Sequence, residues 1–211
     1  EKARYWSSKN AILPIDVTIA SAKIFIFTCG VCHHEFVSSL NNVNNGQWCS
    51  FCSNKKLCND IDCKTCFQKS FSSHNKAIYF STKNNTTARQ VFKKSNRKYW
   101  FNCNNCSHEF QSTLYNVCGT KKSWCPYCCC PPQKLCENES CQLCFKKSFM
   151  SNEKMQYWSP KNKDVPRNIF KSSSKKYWFD CKKCNLDFFI SLAHVSIGNW
   201  CPHCVNKTET K

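Results

Sequence analysis

Pairs of cysteines that recur at a fixed interval constrain the fold of this chain more than any other feature. Each repeat closes on a Cys-x2-Cys pair that follows a tryptophan: Trp48-Cys-Ser-Phe-Cys52, Trp124-Cys-Pro-Tyr-Cys128 and Trp200-Cys-Pro-His-Cys204. The closing pairs lie 76 residues apart both times, and another Cys-x2-Cys pair lies 16, 18 or 16 residues before each of them. With 21 cysteines in 211 residues, the composition is typical of a scaffold held together by staples rather than by a large core.

Two further segments recur in the same order. An entry segment opens each repeat: Tyr5-Trp-Ser-Ser-Lys-Asn10, Tyr79-Phe-Ser-Thr-Lys-Asn84 and Tyr157-Trp-Ser-Pro-Lys-Asn162. A connector that contains three cysteines and ends in Lys-Ser-Phe follows the first two repeats, at residues 57–71 and 135–149. The sequence therefore predicts three repeats, over residues 1–74, 75–152 and, truncated, 153–211.

Two Cys-x2-Cys pairs at this separation have the spacing of a tetrahedral metal site with four thiolate ligands. Zinc is the favoured ion because it suits a soft four-sulfur tetrahedron and needs no redox role, although iron accepts the same geometry. Each structural zinc is expected to contribute on the order of 10 kcal/mol to folding. The predicted ligands of the three sites are Cys29, Cys32, Cys49 and Cys52; Cys103, Cys106, Cys125 and Cys128; and Cys181, Cys184, Cys201 and Cys204.

Two other uses of the cysteines fit the sequence less well. Cys125-Pro-Tyr-Cys128 and Cys201-Pro-His-Cys204 are spelled like the redox centres of thiol oxidoreductases, but each has a second pair upstream that can close a metal site. The first repeat, moreover, spells its closing pair Cys49-Ser-Phe-Cys52. A disulfide framework normally uses an even number of cysteines at irregular spacings, whereas 21 is odd and the spacing is regular.

The first connector supplies three cysteines and needs a fourth ligand. The sequence predicts a site of three sulfurs and one nitrogen formed by Cys58, Cys63, Cys66 and His74. For the connectors, a partial site or a satisfied surface pair of thiols is the alternative.

In the second connector the position of that histidine is held by Asn152, which is a poor zinc ligand. A two-residue insertion, Cys129-Cys130, lies just upstream, and we predict that one of these thiols replaces the missing nitrogen. The predicted ligands are then Cys130, or its neighbour, with Cys136, Cys141 and Cys144.

Three other side chains near the metal sites are predicted to bind no metal. His34 and His108 follow the first cysteine pair of their repeats, but the third repeat has Leu186 there and keeps its four cysteines. A packing or hydrogen-bonding role is therefore expected for both histidines. Cys118 has no counterpart in the other repeats, so a packed or free thiol is expected.

Secondary structure is predicted in short pieces. Aromatic and β-branched runs before each first cysteine pair predict strands at residues 24–27, 99–101 and 177–179. The Phe, Leu and Val that follow at spacings of four and three fit either a return strand with a bulge or a short helical turn. Residues 67–73 and 145–151 of the connectors predict short helices.

The whole repeat, Tyr-Trp-Ser-x-Lys-Asn followed by Cys-x2-Cys, Phe-x3-Leu and Trp-Cys-Pro-x-Cys, resembles the probable zinc-ribbon family of treble-clef-like repeats. Tandem copies joined by such connectors look like those of proteins encoded by large DNA viruses and some fungi. The resemblance implies small metal-stabilised domains with zinc-ribbon or treble-clef-like repeats, short β-hairpins, short connector helices and little hydrophobic core. Departures from the family pattern are Phe80, Leu186 and Asn152.

The charge balance points to acidic partners. The formal net charge is +18, and the predicted zinc–thiolate sites bring it to about +10. Nucleic acid is the first partner to expect for so basic a chain, with phosphates bound along a recurrent basic strip. The residues of this strip are Arg89, Lys93, Lys94, Arg97, Lys98, Lys171, Lys175, Lys176, Lys182 and Lys183. A solvated lysine face is the alternative.

An enzyme and a structural or assembly protein are the other classes of function to consider. Catalysis and a small-molecule substrate are not expected, because no paired carboxylates recur and the predicted metal sites leave no ligand position open. A structural or assembly protein, such as a capsid-associated component that contacts an acidic protein surface or other virion proteins, is the alternative. No run approaches the roughly 18 to 20 apolar residues that cross a bilayer, and no signal peptide is evident. The expected location is a reducing compartment, cytoplasm or nucleus, or the virion of a virus.

Overall fold

The computed structural model describes residues 1–119 and 124–205, and it contains three copies of one arrangement. Each copy has a two-stranded antiparallel hairpin followed at once by a short helix. The strands are β1 (Ile24–Thr28), β2 (Glu35–Ser39), β3 (Lys98–Asn102), β4 (Glu109–Thr113), β5 (Lys176–Asp180) and β6 (Asp187–Ser191). The helices are α1 (Leu40–Asn44), α2 (Lys64–Lys69), α3 (Leu114–Cys118), α4 (Gln142–Lys147), α5 (Leu192–Ser196) and α6 (Pro202–Val205).

The strands predicted before the first cysteine pairs are confirmed. The phenylalanine that ends each aromatic run is fully buried, and in the first hairpin Phe27 pairs with Phe36 across the strands. The Phe-x3-Leu-x2-Val pattern turns out to combine both predicted alternatives, since Phe36 lies on β2 whereas Leu40 and Val43 lie on α1. Ser39 separates the two elements because its Oγ accepts a backbone hydrogen bond at 3.2 Å and caps the helix.

The entry segment adds an irregular edge to each hairpin. In the first repeat the side chain of Asn10 accepts a hydrogen bond from the backbone N–H of Ile26 at 2.9 Å and donates one to its carbonyl at 2.8 Å. The same two bonds join the entry asparagine to the matching strand residue in the second and third repeats. The side-chain amide therefore pairs with the strand as a backbone amide would.

The connector helices begin earlier and end earlier than the predicted ranges 67–73 and 145–151. In α2, Cys63 is the N-cap residue, and its Sγ accepts the backbone N–H of Cys66 at 3.5 Å. The chain becomes extended at Ser70, so a separate 3-10 turn forms over Phe71–Ser73. The second connector repeats this break at Ser148.

Each connector ends in the core of the repeat that follows it. Phe71 is fully buried, with its ring centroid 5.7 Å from Phe80 and 5.8 Å from Phe101 of the second repeat. Phe149 is equally buried against Trp158 of the third repeat. The packing therefore changes from one repeat to the next near residues 70 and 148, ahead of the predicted boundaries at 74 and 152.

Contacts divide the chain into two compact units. One comprises Glu1–Cys103 with Glu109–Ser123, and the other comprises Asn104–His108 with Trp124–Lys211. The division into three repeats stays a prediction about the sequence pattern. Among the described residues, every helix is too short or too polar to cross a membrane.

Candidate metal centres

Three groups of four thiols lie where the paired cysteines predict them. All 21 cysteines are free thiols. Four sulfurs about 2.3 Å from a zinc ion form a tetrahedron with edges of about 3.8 Å. The measured Sγ–Sγ distances fit this edge, at 3.6 Å for Cys29 to Cys52 and 3.5 Å for Cys32 to Cys49. The three groups are Cys29, Cys32, Cys49 and Cys52; Cys103, Cys106, Cys125 and Cys128; and Cys181, Cys184, Cys201 and Cys204.

A tight turn at the end of the first strand brings each leading pair together. The backbone N–H of Cys29 donates to the carbonyl of His34 at 2.9 Å, and His33 between them has a left-handed φ of 57°. Ser107 and Asn185 adopt the same conformation in the other repeats, with φ of 55°. This conformation reverses the chain after the second cysteine and sets the direction of the next side chain.

In each connector the three cysteines lie beside a histidine of the preceding hairpin, and this histidine supplies the fourth ligand of the site. His34 Nε2 lies 3.3 Å from the Sγ of Cys63 and 3.5 Å from that of Cys66. His108 Nε2 lies 3.4 and 3.5 Å from the matching sulfurs of the second connector. Nitrogen and sulfur ligands of one tetrahedral zinc are expected about 3.6 Å apart. The complete sets are His34, Cys58, Cys63 and Cys66, and His108, Cys136, Cys141 and Cys144.

The predicted fourth ligands, His74 and Cys130, are therefore wrong. His74 lies outside the cluster and is the N-cap of a 3-10 helix, where its Nδ1 accepts the backbone N–H of Lys76 at 3.2 Å. Asn152 caps the matching helix in the third repeat through its side-chain oxygen. The exchange of histidine for asparagine thus preserves a helix cap and has no bearing on a metal ligand.

The inserted thiols also lie outside the second connector cluster. Cys129 Sγ donates to the carbonyls of Pro126 and Pro131, and Cys130 is exposed. Cys118, predicted to be a packed or free thiol, is a partly buried free thiol. Burial raises its pKa.

A sequence signal for the histidine ligand exists but was misinterpreted. His34 and His108 occur in the two repeats that are followed by a three-cysteine connector. The third repeat has Leu186 at this position. The prediction from Leu186 that these histidines bind no metal is wrong, because each histidine belongs to a different metal site from the four cysteines of its repeat.

An aromatic side chain of the closing pair supports each histidine. The ring of His34 stacks on Phe51 with centroids 4.3 Å apart and planes 17° apart, and His108 stacks on Tyr127 at 4.4 Å. Both aromatics occupy the third position of Cys-x2-Cys, where the third repeat has His203. Stacking fixes the imidazole plane and so aims Nε2 at the connector sulfurs.

An arginine of the following repeat holds each connector from the other side. Arg89 donates to the carbonyl of Asp60 at 2.7 Å and lies 3.6 Å from Cys58 Sγ. Arg167 makes the same bond to Asn138 in the second connector, and it is almost fully buried. Arg89 was predicted to contact nucleic acid, and the structure corrects this, because its guanidinium is committed to the connector.

The thiols of a cluster differ in proton affinity. Burial acts to raise the pKa of Cys32, but hydrogen bonds from His34 lower this pKa to about 6. Burial also acts to raise the pKa of Cys58, but hydrogen bonds from His34 and from the neighbouring thiols lower this pKa to about 6. Burial raises the pKa of Cys66 to about 11. Because a metal ion needs every sulfur as thiolate, binding displaces protons and acidification releases the metal.

The remaining residues of the predicted basic strip are divided among several surfaces. Arg97 and Lys98 line one groove of the second repeat, whereas Lys93 and Lys94 line another together with Lys69. In the third repeat the lysines are exposed, namely Lys171, Lys175, Lys176, Lys182 and Lys183. Both grooves of the second repeat include Phe92 and Ser95, so the two grooves adjoin.

The donor sets fit zinc. Thiolate and imidazole ligands at tetrahedral spacing, closed by four protein groups at each site, are those of structural zinc centres. Bound zinc would cross-link segments that are distant in sequence. The five centres leave the chain with a net charge of about +10.

Comparisons with known proteins agree with this geometry. Residues 3–55 and 77–131 match a family model described as a probable treble clef zinc finger domain. Over 203 residues the chain is 36% identical to a protein of Acanthamoeba polyphaga mimivirus whose name calls it uncharacterized. The match covers 94% of this chain and 49% of that protein, so the chain spans about half the length of this relative.

Proposed function

Because the chain belongs to the probable treble clef zinc finger family, we propose that its zinc-stapled repeats bind nucleic acid through a basic groove of the second repeat. The groove carries the proposal because cations and amides line it and no carboxylate does. Its polar and charged lining consists of Lys55, Lys83, Asn84, Asn85, Thr86, Gln90, Ser95, Arg97, Lys98 and Gln111. Phosphate groups bind where several cations converge with hydrogen-bond donors.

The charges of this groove are available for a ligand. Among the described residues Lys55, Arg97 and Lys98 form no ion pair, whereas Lys83 pairs with Glu109. The Lys83 ammonium lies 5.5 Å from the ring centroid of Trp100, which also lines the groove. An indole beside cations offers a surface on which a base can stack.

The matching groove of the third repeat has less positive charge, since its lining contains the two cations Lys163 and Lys175 and the carboxylate of Asp164. The segment just before the connector contributes Pro131 and Pro132 to this groove, whereas the matching segment contributes Lys55 to the groove of the second repeat, and Asp164 holds the position of Thr86. Lys175, the counterpart of Arg97, pairs with Asp164 at 2.6 Å. The two repeats therefore provide a matched comparison within one chain.

We propose a binding role rather than a catalytic one. Each of the five centres already has four protein ligands, whereas a catalytic zinc keeps one position for water or substrate. A structural or assembly role is a second candidate. It is favoured by the exposed apolar side chains of the first repeat, among them Leu13, Ile15 and Ile19.

Replacing Arg97 and Lys98 with serine is expected to weaken binding of a labelled 20-nucleotide DNA at least tenfold at low salt. Two phosphate contacts are lost, so the slope of log affinity against log salt falls by about 2. Fluorescence anisotropy between about 50 and 200 mM salt, with single-stranded and duplex probes, measures both quantities.

The control is the variant Lys175→Ser with Lys176→Ser, which removes the same charge from the matching positions. Its affinity is expected to change less than about threefold, because Asp164 already neutralises one of the two lysines. Equal losses in both variants would show that net charge alone acts and would contradict the groove. Absent or salt-independent binding by the parent chain would reject nucleic acid and favour the assembly role.

A further inference from the structure

The first repeat contains an apolar socket that the second and third repeats fill with a phenylalanine. Phe149 is fully buried in the third repeat, with ring centroids 5.5 Å from Trp158 and 5.6 Å from Phe179. In the first repeat the corresponding space is a cavity of about 520 Å³ that opens to solvent. Its lining includes Ala3, Trp6, Val17, Phe27, Leu40 and Val43.

The walls of this socket correspond position by position to the residues around Phe149. In the core of the third repeat these are Met155, Trp158, Ile169, Phe179, Leu192 and Val195. The leucine shows the effect of the missing ring. Leu114 and Leu192 have no exposed surface, whereas Leu40 is only partly buried.

The backbone beside the socket also has the conformation that binds a connector in the other repeats. The N–H of Phe149 donates to the carbonyl of Ile169 at 2.8 Å, and that of Phe71 donates to Val91 at 2.8 Å. Val17, at the same position of the first repeat, has the same extended conformation, with φ −125° and ψ 134° against −121° and 134° for Ile169.

The edge at Val17 is open. Lys171 N–H donates to Lys147 of the connector at 3.1 Å, and Ile19 holds the position of Lys171 in the first repeat. Within the described residues, neither the Val17 carbonyl nor the Ile19 N–H forms a hydrogen bond. Ile19 is 71% exposed. An acceptor and a donor therefore flank the socket at the spacing that a connector uses.

We propose that this socket binds the Lys-Ser-Phe end of a connector belonging to another repeat of this family. The phenylalanine would enter the cavity, its N–H would donate to the Val17 carbonyl, and the carbonyl two residues earlier would accept from Ile19. This is addition of a short extended segment to an open edge with one side chain as anchor. A folded second copy is excluded as the donor, because its Phe71 and Phe149 are already buried.

A capped peptide with the sequence of residues 145–152 tests this with the zinc-loaded chain. Saturable binding is expected by calorimetry, with chemical-shift changes at the methyl groups of Leu40 and Val43. The peptide change Phe149→Ala should weaken binding at least tenfold, whereas Phe145→Ala should change it less than threefold. Equal affinity of the two altered peptides, or shift changes away from the socket, would overturn the proposal.

Variants of the chain separate the socket from the rest of the surface. Ala3→Trp fills the cavity mouth from an exposed position and is expected to abolish peptide binding, whereas Ala22→Trp, on another exposed surface, should leave it unchanged. Zinc content, which neither change should alter, reports folding. Peptide binding that survives Ala3→Trp would contradict the socket.

Attachment of the same eight residues directly before Glu1 provides a second measurement. The junction preserves the register of the third repeat, in which Asn152 precedes Glu153. The fusion is expected to raise the thermal midpoint of unfolding by several degrees and to abolish binding of the free peptide. A fusion that carries Phe149→Ala in the attached segment should have neither effect. Equal midpoints for the two fusions would overturn the proposal. None of these measurements depends on the affinity of the chain for nucleic acid.

Discussion

Removal of zinc by a strong chelator under reducing conditions is expected to unfold the chain. Each hairpin has only two strands and a short helix, and its core is a cluster of about eight buried residues, four of them phenylalanines and three of them cysteines in the first repeat. A structural zinc contributes on the order of 10 kcal/mol, which is as large as the whole stability of an ordinary domain. Far-UV circular dichroism and thermal melting measure the loss, and readdition of zinc should restore the fold.

Chelator already saturated with zinc is the control, and it should leave the melting transition unchanged. The same transition with and without free chelator would show that the apolar contacts hold the repeats without metal. That outcome would contradict the structural role of the centres.

His34→Ala is expected to remove one zinc ion and to loosen the first connector. The change leaves Cys58, Cys63 and Cys66 without a nitrogen ligand, so a cross-link of about 10 kcal/mol is lost. Native mass spectrometry counts the metal, and hydrogen exchange of α2 measures the loosening. His34→Cys should restore the zinc, because a fourth sulfur completes the tetrahedron.

His74→Asn is the matched control for that variant. Asparagine caps the equivalent helix in the third repeat, so the cap is retained and the zinc count should not change. Loss of a zinc ion from His74→Asn, with retention in His34→Ala, would restore the ligand set first predicted from sequence and contradict the structure.

The four-cysteine centres could be predicted from sequence because their geometry is local. Each Cys-x2-Cys pair brings two sulfurs together within one turn, and the repetition shows which pairs belong together. The spacing therefore contains most of the information that the site needs. The strands before the leading pairs were predictable for the same reason, since their aromatic runs end at a cysteine turn.

The connector centres could not be completed in this way. His34 lies 24 residues before Cys58, and its direction depends on the left-handed turn at His33 and on the ring of Phe51. Neither the turn nor the stacking is visible as a spacing. His74 was the nearer histidine in sequence, and nearness was the wrong criterion.

Charge clustering misled the interpretation of Arg89 in a similar way. Its neighbours in sequence are basic, but its guanidinium bonds a connector carbonyl that lies 29 residues away. The burial of Phe71 in the following repeat was equally hidden, because a hydrophobic residue shows that it is buried without showing in which core. Tertiary structure decides both.

The most direct test of five zinc centres is a metal count on the whole chain. Native mass spectrometry of protein purified under reducing conditions, supported by elemental analysis, should give five zinc ions per chain, three in the four-cysteine centres and two in the connectors. A saturated count of three would show that His34 and His108 bind no metal, and it would contradict the connector centres and the account of how the repeats are joined.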